Sequence, residues 1–188
     1  DPTGNSDKRA LFTTSKYGTG AAQLKITDIS DFNSGPHVKK YVNVRSDGGP
    51  VSDVAKTFSD VDFPVFRLSE MYLIYAEATL RGGAASGGNL TTAKDYINKI
   101  RERAYGTTSQ GQINTSDLTL QFILDERGRE LYWEGHRRTD LIRYDLLTTG
   151  SYLWPWKGGV ASGTAVDSKY NLFAIPASNL VANSNLTQ

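Results

Sequence analysis

The stretch ILDERGRELYWEGHRRTDLIRYDLL, residues 123–147, constrains the fold more than any other part of the chain. Leu120, Ile123, Leu124, Arg127 and Leu131 share one face at helical spacing, so a guanidinium stands inside an apolar stripe. A charge in that position is costly unless it is paired, and the natural partner is a carboxylate on a neighbouring helix. The stretch therefore predicts several helices packed together and joined by ion pairs. Glu126, Glu130 and Glu134 recur every four residues, with Arg127, Arg129, Arg137, Arg138 and Arg143 among them. Glu130 with Arg127, and Glu134 with Arg138, stand at helical neighbour positions. Arg137, Asp140 and Arg143 share a face of the helix that follows.

Rows of carboxylates also raise the question of catalysis. A glycosidase needs two carboxylates flanking one bond, about 5 to 9.5 Å apart depending on mechanism. Successive turns of one helix meet the distance, but the groups then point the same way and leave no room for substrate. Neighbouring arginines also lower a carboxylate pKa, which spoils a general acid. The structural reading is the better one: Glu126, Arg127, Glu130, Glu134, Arg137, Asp140 and Arg143 form a buried or half-buried ion network and no catalytic site. His37 and His136 are the only histidines and match no metal-ligand spacing. LRGGAASGGN lacks the GK[ST] of a phosphate loop, and no GxSxG frames a nucleophilic serine. No cofactor and no metal are expected.

The rest of the chain supports a helical centre flanked by loops. Residues 1–63 read as loops and short strands, with VKKYVNV (38–44) alternating like a strand before the SDGGP turn. Residues 64–148 are helical. A first helix places Leu68, Met71, Tyr72, Tyr75 and Ala78 on one face and stops at Gly82 and Gly83. A second is capped by Thr91 or Thr92, turns Ala93, Tyr96, Ile97, Ile100 and Ala104 inward and ends at Gly106. A third runs from near Leu118 to Glu134, carries Trp133 in the core and breaks at Gly135. A shorter fourth begins in HRRTDLIRYDLL. Residues 149–188 are loop again, with Leu172, Phe173 and Ile175 in a brief strand before Pro176.

Bulk properties exclude several functions. The net charge is +1, with no basic segment of the kind that tracks phosphates, so nucleic acid is not an expected partner. No apolar run reaches the roughly 18 residues of a membrane-spanning helix. There is no cysteine, hence no disulfide, thiolate metal ligand or thiol nucleophile. The opening DPTGNSDKRA looks like a cut inside a longer polypeptide.

Four segments in order resemble the signature of the SusD/RagB family: FRLSEMYLIYAEATLRGG, AKDYINKIRERAYG, ILDERGRELYWEGHRRTDLIRYDLL and LFAIPASNLVANSNLTQ. The third is highly specific in its ER..EL..EG.RR.DL.R arrangement. The opening DPTGNSDKRALF is similar to the "DPR" segment that precedes these helices, so the resemblance covers residues 1–188. It implies the C-terminal portion of such a protein, with a substantial N-terminal part absent. It also implies a mainly α fold of tetratricopeptide-like helix pairs, with long loops and a few short strands. The function implied is non-enzymatic capture of oligosaccharides, polysaccharides or other nutrients at the outer face of the Bacteroidota outer membrane. The partner implied is a SusC-like TonB-dependent transporter, and the anchor an N-terminal lipid outside these residues. In this family the charged segment packs helices and is not an active site.

The family's ligand residues vary among members, so none transfers by motif. From the residues themselves, a sugar binder offers flat rings beside polar groups. SYLWPWKGG supplies Tyr152, Trp154 and Trp156 in a loop; if it is extended, the two Trp rings point the same way. Lys157 and Asp167 would add polar contacts, and Tyr17 in SKYGTG is a second loop aromatic. The competing reading is that these rings plug the loop onto the helices. Two other functions stand beside glycan capture: a helical scaffold or protein-interaction module without its own sugar site, and a glycan hydrolase.

Overall fold

A computed structural model of the protein describes residues 6–13, 25–31, 34–55, 57–107 and 109–187. The fold is mainly α-helical with minor β content. In chain order the elements are β1 (Phe12–Thr13), β2 (His37–Val38), α1 (Leu68–Leu80), α2 (Leu90–Tyr105), α3 (Leu120–Glu130), α4 (Arg137–Arg143) and α5 (Ala177–Ala182). The chain forms two compact units, residues 1–137 and residues 138–188.

In the first unit α1 packs most extensively on α2, and α3 packs on α1. Leu73 and Ala76 of α1 meet Ala93, Ile97 and Ile100 of α2 in the core, with Ile113, Leu118, Ile123 and Leu131 completing it. Tyr72 and Tyr96 stack at 4.4 Å between centroids, and Tyr75 meets the Tyr96 ring edge-on at 5.1 Å. Asn98 holds the α2–α3 connection like a strand partner. Its amide donates to the Ile113 carbonyl at 3.0 Å and accepts from the Ile113 N–H at 2.9 Å.

Helix ends follow local chemistry, with shifts from the sequence expectation. Asn89, not Thr91 or Thr92, caps α2, its side chain accepting from the Thr92 N–H at 3.0 Å. Gly106 ends α2 at φ 74°, a conformation glycine adopts without strain. Thr119 caps α3, which stops at Glu130, four residues short of the predicted end. The turn beyond it puts Trp133 at φ 61°, and the indole expected in the core is 67% exposed. The buried face of α1 is also rotated: Leu73, Ala76 and Thr79 are buried, while Leu68, Met71 and Ala78 are exposed. Apolar residues on every side of α1 gave periodicity no means of choosing between faces.

The predicted strands largely fail to form. Only Val38 of residues 38–44 enters a ladder, opposite Phe12 in a two-residue antiparallel pair. Lys40 instead turns toward α3 and donates to the Tyr132 carbonyl at 2.9 Å. Leu172, Phe173 and Ile175 follow a 3-10 turn, Ser168–Asn171, and are not in a strand.

Two substitutions test this packing. Ile97→Ala is expected to lower stability by about 2–5 kcal/mol, because Ile97 is wholly buried. Asn89→Ala is expected to cost about 1 kcal/mol through loss of the cap. Denaturant unfolding measures both, and equal losses would contradict the assignment of Asn89 to a cap alone.

Candidate functional site

The carboxylates of α3 and its following turn point into a cluster of cations in the first unit. Glu126 is fully buried. Its Oε1 accepts from Arg9 Nη1 at 2.7 Å, and its Oε2 accepts from Arg101 Nη1 at 2.8 Å and Arg129 Nε at 3.0 Å. Glu130 accepts from Arg67 Nη1 at 2.9 Å, Arg103 Nη2 at 2.7 Å and Arg9 Nη1 at 3.3 Å. Glu134 accepts from Arg67 Nε at 2.7 Å and Nη2 at 2.8 Å, and from Lys40. Arg9 also donates Nη2 to Asp7 at 2.7 Å, and the Tyr132 hydroxyl donates to the Arg9 carbonyl at 2.7 Å.

The geometry corrects the expected pairing in detail. Glu130 and Glu134 are met by Arg9, Lys40, Arg67 and Arg103 from other elements, in place of Arg127 and Arg138 on their own stretch. Arg127, 3% exposed, faces Glu70 of α1 at 4.0 Å, a carboxylate on a neighbouring helix. His136 Nδ1 lies 3.5 Å from the same Glu70 oxygen. Arg137 donates to the Leu124 carbonyl at 2.9 Å, and within the second unit Arg143 donates to the buried Asp140 at 2.8 Å. Arg9 and Arg67 were not legible from spacing, because they stand far from α3 in sequence. Arg101 and Arg103 carried a weak signal in IRERAYG.

The electrostatics follow from burial and charge. Burial alone would push the Glu126 carboxyl up, yet Arg9, Arg129 and Arg101 together hold it below the ordinary range. Burial likewise opposes ionisation of Glu134, and hydrogen bonds from Arg67 and Lys40 overcome it. Asp7 is depressed in the same way, burial being outweighed by Arg9. Carboxylates kept ionised by surrounding cations are poor general acids. Among the described residues no group of three or more His, Cys, Asp or Glu could hold a metal ion.

The aromatic loop belongs to the second unit, and it is a turn, not an extended segment. Trp156 adopts φ 68°, followed by Gly158 and Gly159 at positive φ, so Trp154 and Trp156 are not alternate residues of a strand. Gly163 is required beneath them, since a Cβ there would sit 2.5 Å from the Trp154 carbonyl. Lys157 is buried instead of reaching for ligand: its Nζ donates to the Thr149 carbonyl at 2.8 Å and the Tyr152 carbonyl at 2.7 Å. The same ammonium lies 4.7 Å from the Trp154 ring centroid. Asp167 caps the following 3-10 turn through the Lys169 N–H at 2.8 Å. Tyr152 is half-buried, its ring 6.1 Å from that of Trp154. Tyr17 lies outside the described residues.

Trp154 opens onto a cleft of about 390 Å³, with Arg138, Val166, Tyr170, Leu172 and Phe173 among its lining residues. Trp154, Tyr170 and Phe173 are 37%, 55% and 79% exposed. Arg138 lies 4.0 Å from the Phe173 ring centroid and donates Nη2 to the Tyr170 carbonyl at 2.6 Å. The lining contains no Asp or Glu, so it offers ring faces and cationic donors but no carboxylate pair. Tyr170, Phe173 and Arg138 were not singled out beside Trp154 from the sequence; aromatic content near Trp154 was the available signal for this cleft. A larger groove in the first unit, about 450 Å³, is lined by the stacked Phe12 and Tyr132 with Asp125, Arg129 and Arg137. Its charged groups are engaged internally: Arg129 with Glu126, Arg137 with Leu124, and Asp125 with Gln121 at 3.0 Å.

The model of the SusD family matches residues 5–188. The starch-binding protein SusD of Bacteroides thetaiotaomicron is 42% identical over 182 residues, which cover 97% of this chain and 30% of that protein. SusD-like protein P25 of Formosa agariphila is 42% identical over 87 residues, covering 44% of this chain and 15% of that protein. SusD-like protein P38 of the same organism is 31% identical over 120 residues, covering 55% of this chain and 23% of that protein. The chain belongs to the SusD family. It spans about a third or less of the length of these relatives.

The ion network generates a pH prediction. Asp7, Glu126 and Glu134 are depressed in the folded state, so their stabilisation is present above the unfolded pKa of about 4. It is lost as pH falls through the lower folded values. The melting temperature is expected to hold between about pH 8 and pH 5 and to drop below about pH 4. Glu126→Ala is expected to cost about 3–5 kcal/mol, because three guanidiniums lose their shared acceptor. Thermal melts across pH check both, and an unchanged melt at low pH would contradict the first.

Proposed function

We propose that the chain is part of a cell-surface protein that binds oligosaccharides or polysaccharides without acting on them. It delivers them to a SusC-like TonB-dependent transporter and is held at the outer membrane by an N-terminal lipid outside these residues. The helices of the first unit serve as tetratricopeptide-like pairs, a rigid scaffold braced by the ion network. Glu126, Arg127, Glu130, Glu134, Arg137, Asp140 and Arg143 act structurally in this reading. The chain's alignment to a starch-binding protein over 97% of its length supports the glycan class.

One observation carries the site within this chain: the exposed rings of Trp154, Tyr170 and Phe173 converge with Arg138 on one cleft. Ring faces stack on the apolar C–H faces of a sugar, and a guanidinium donates to its hydroxyls. Tyr152 and Trp156 support the loop more than the ligand, being half-buried and outside the cleft lining. The buried Lys157 favours a second reading, in which the loop is a structural plug and the chain a scaffold whose sugar site lies elsewhere in the protein.

Affinity electrophoresis and calorimetry of the full-length protein against a polysaccharide panel that includes starch decide between them. Trp154→Ala with Phe173→Ala is expected to weaken binding about tenfold or more, roughly 1.4 kcal/mol, with the melting curve near that of the parent. Undiminished affinity in the double variant would move the site out of this chain and leave the scaffold reading.

A further inference from the structure

Two cations line the cleft around Trp154, and no carboxylate does. Arg138 is fixed in place: its guanidinium lies 4.0 Å from the Phe173 ring centroid, and its Nη2 donates to the Tyr170 carbonyl at 2.6 Å. A guanidinium carries five N–H donors, so most of them stay open after that bond. Lys157 is buried, and its ammonium is satisfied by the neutral carbonyls of Thr149 and Tyr152. Among the described residues neither cation forms an ion pair. Elsewhere carboxylates answer the guanidiniums. Arg143, on the same helix as Arg138, pairs with Asp140, Arg81 pairs with Glu77, and Arg101 with Glu126. Asp167 follows the lining residue Val166 in sequence, but it accepts from the Lys169 N–H and caps its own turn. Carbonyl dipoles solvate a cation without cancelling its charge, so a concave site with apolar walls keeps a positive potential.

Resting on the reading of this cleft as a sugar site, we propose that it selects anionic saccharides, those bearing a uronate carboxylate or a sulfate ester, over neutral ones. The exposed rings of Trp154, Tyr170 and Phe173 take the C–H face of the sugar, and the open donors of Arg138 meet its anionic group. Paired N–H donors of a guanidinium match the oxygens of such a group, and charge-assisted bonds are stronger than those to a neutral hydroxyl. Lys157 does not touch the ligand. Its fixed charge, 4.7 Å from the Trp154 ring centroid, adds to the field. A neutral sugar would leave both charges unanswered.

Calorimetry of the full-length protein compares an oligogalacturonate with its methyl ester, which keeps the rings and loses the charge. A sulfated galactan oligosaccharide and its desulfated form make the second pair. The acidic member of at least one pair is expected to bind about tenfold or more tighter than its neutral partner. Which pair shows it tells whether carboxylate or sulfate is recognised. Arg138→Gln is expected to bring the two members within about threefold of each other. Arg138→Lys is expected to keep part of the preference, and Lys169→Gln, which removes a charge outside the lining, to leave it in place. Equal affinity within both pairs, or no binding of either acidic probe, overturns the proposal. So does a preference that survives Arg138→Gln, or one that Lys169→Gln removes equally, since the attraction is then diffuse. If Arg138→Gln does not fold, the parent ratio and Arg138→Lys decide. The Trp154→Ala, Phe173→Ala double variant separates this failure from that of the sugar site. If it weakens binding of charged and uncharged probes alike, and the parent shows no preference, the site stands and its selectivity falls. If it leaves every affinity unchanged, the site itself falls.

Discussion

A carboxylate as deeply buried as Glu126 has to be surrounded by donors before the chain around it can settle. That requirement organises the first unit. Arg101 and Arg103 reach the carboxylates from α2, and Arg67 reaches them from the entry to α1. Arg9 donates through one nitrogen to both Glu126 and Glu130, and so ties residues 7–9 to a helix more than a hundred positions away. The short β1–β2 pair and the stacking of Phe12 on Tyr132 lie next to that tether in sequence. Charges matched in this way add directional constraints that apolar packing lacks, so α1, α2 and α3 are placed by their ion pairs as well as by their core.

The same chemistry explains why so many acidic and basic side chains produce no catalytic site. A general acid needs a raised pKa and a free approach to substrate. Here cations crowd each oxygen and pull Glu126 and Glu134 the other way. Both oxygens of Glu126 and of Glu134 are engaged by cations, which leaves neither open to a substrate. Rings are instead left facing solvent around Trp154 and Phe173.

The second unit shows the division of labour on a smaller scale. Lys157 is buried beneath the loop and satisfied by two carbonyls, so its charge holds the turn that presents Trp154. From the sequence, Lys157 beside Trp154 and Trp156 reads as a polar contact to a ligand. Its burial and the left-handed backbone at Trp156 settle it as a strut.

Periodicity, glycine stops and the ER..EL..EG.RR.DL.R arrangement determined from sequence alone that the chain is helical at its centre, that Arg127 pairs with a carboxylate on another helix, and which family it resembles. Those features are local, or they repeat at fixed spacing, and spacing is what a sequence displays. Only the tertiary structure decided which cations meet Glu130 and Glu134, because Arg9, Lys40 and Arg67 are brought there by chain folding and share no period with α3. It also decided which face of α1 turns inward, since apolar residues surround that helix and buried Glu70 and Glu77 require partners that no periodic pattern locates. The exposure of Trp133 and the gathering of Tyr170, Phe173 and Arg138 around Trp154 have the same origin. Burial is a property of what lies opposite a residue, and that is set across the fold and not along the chain.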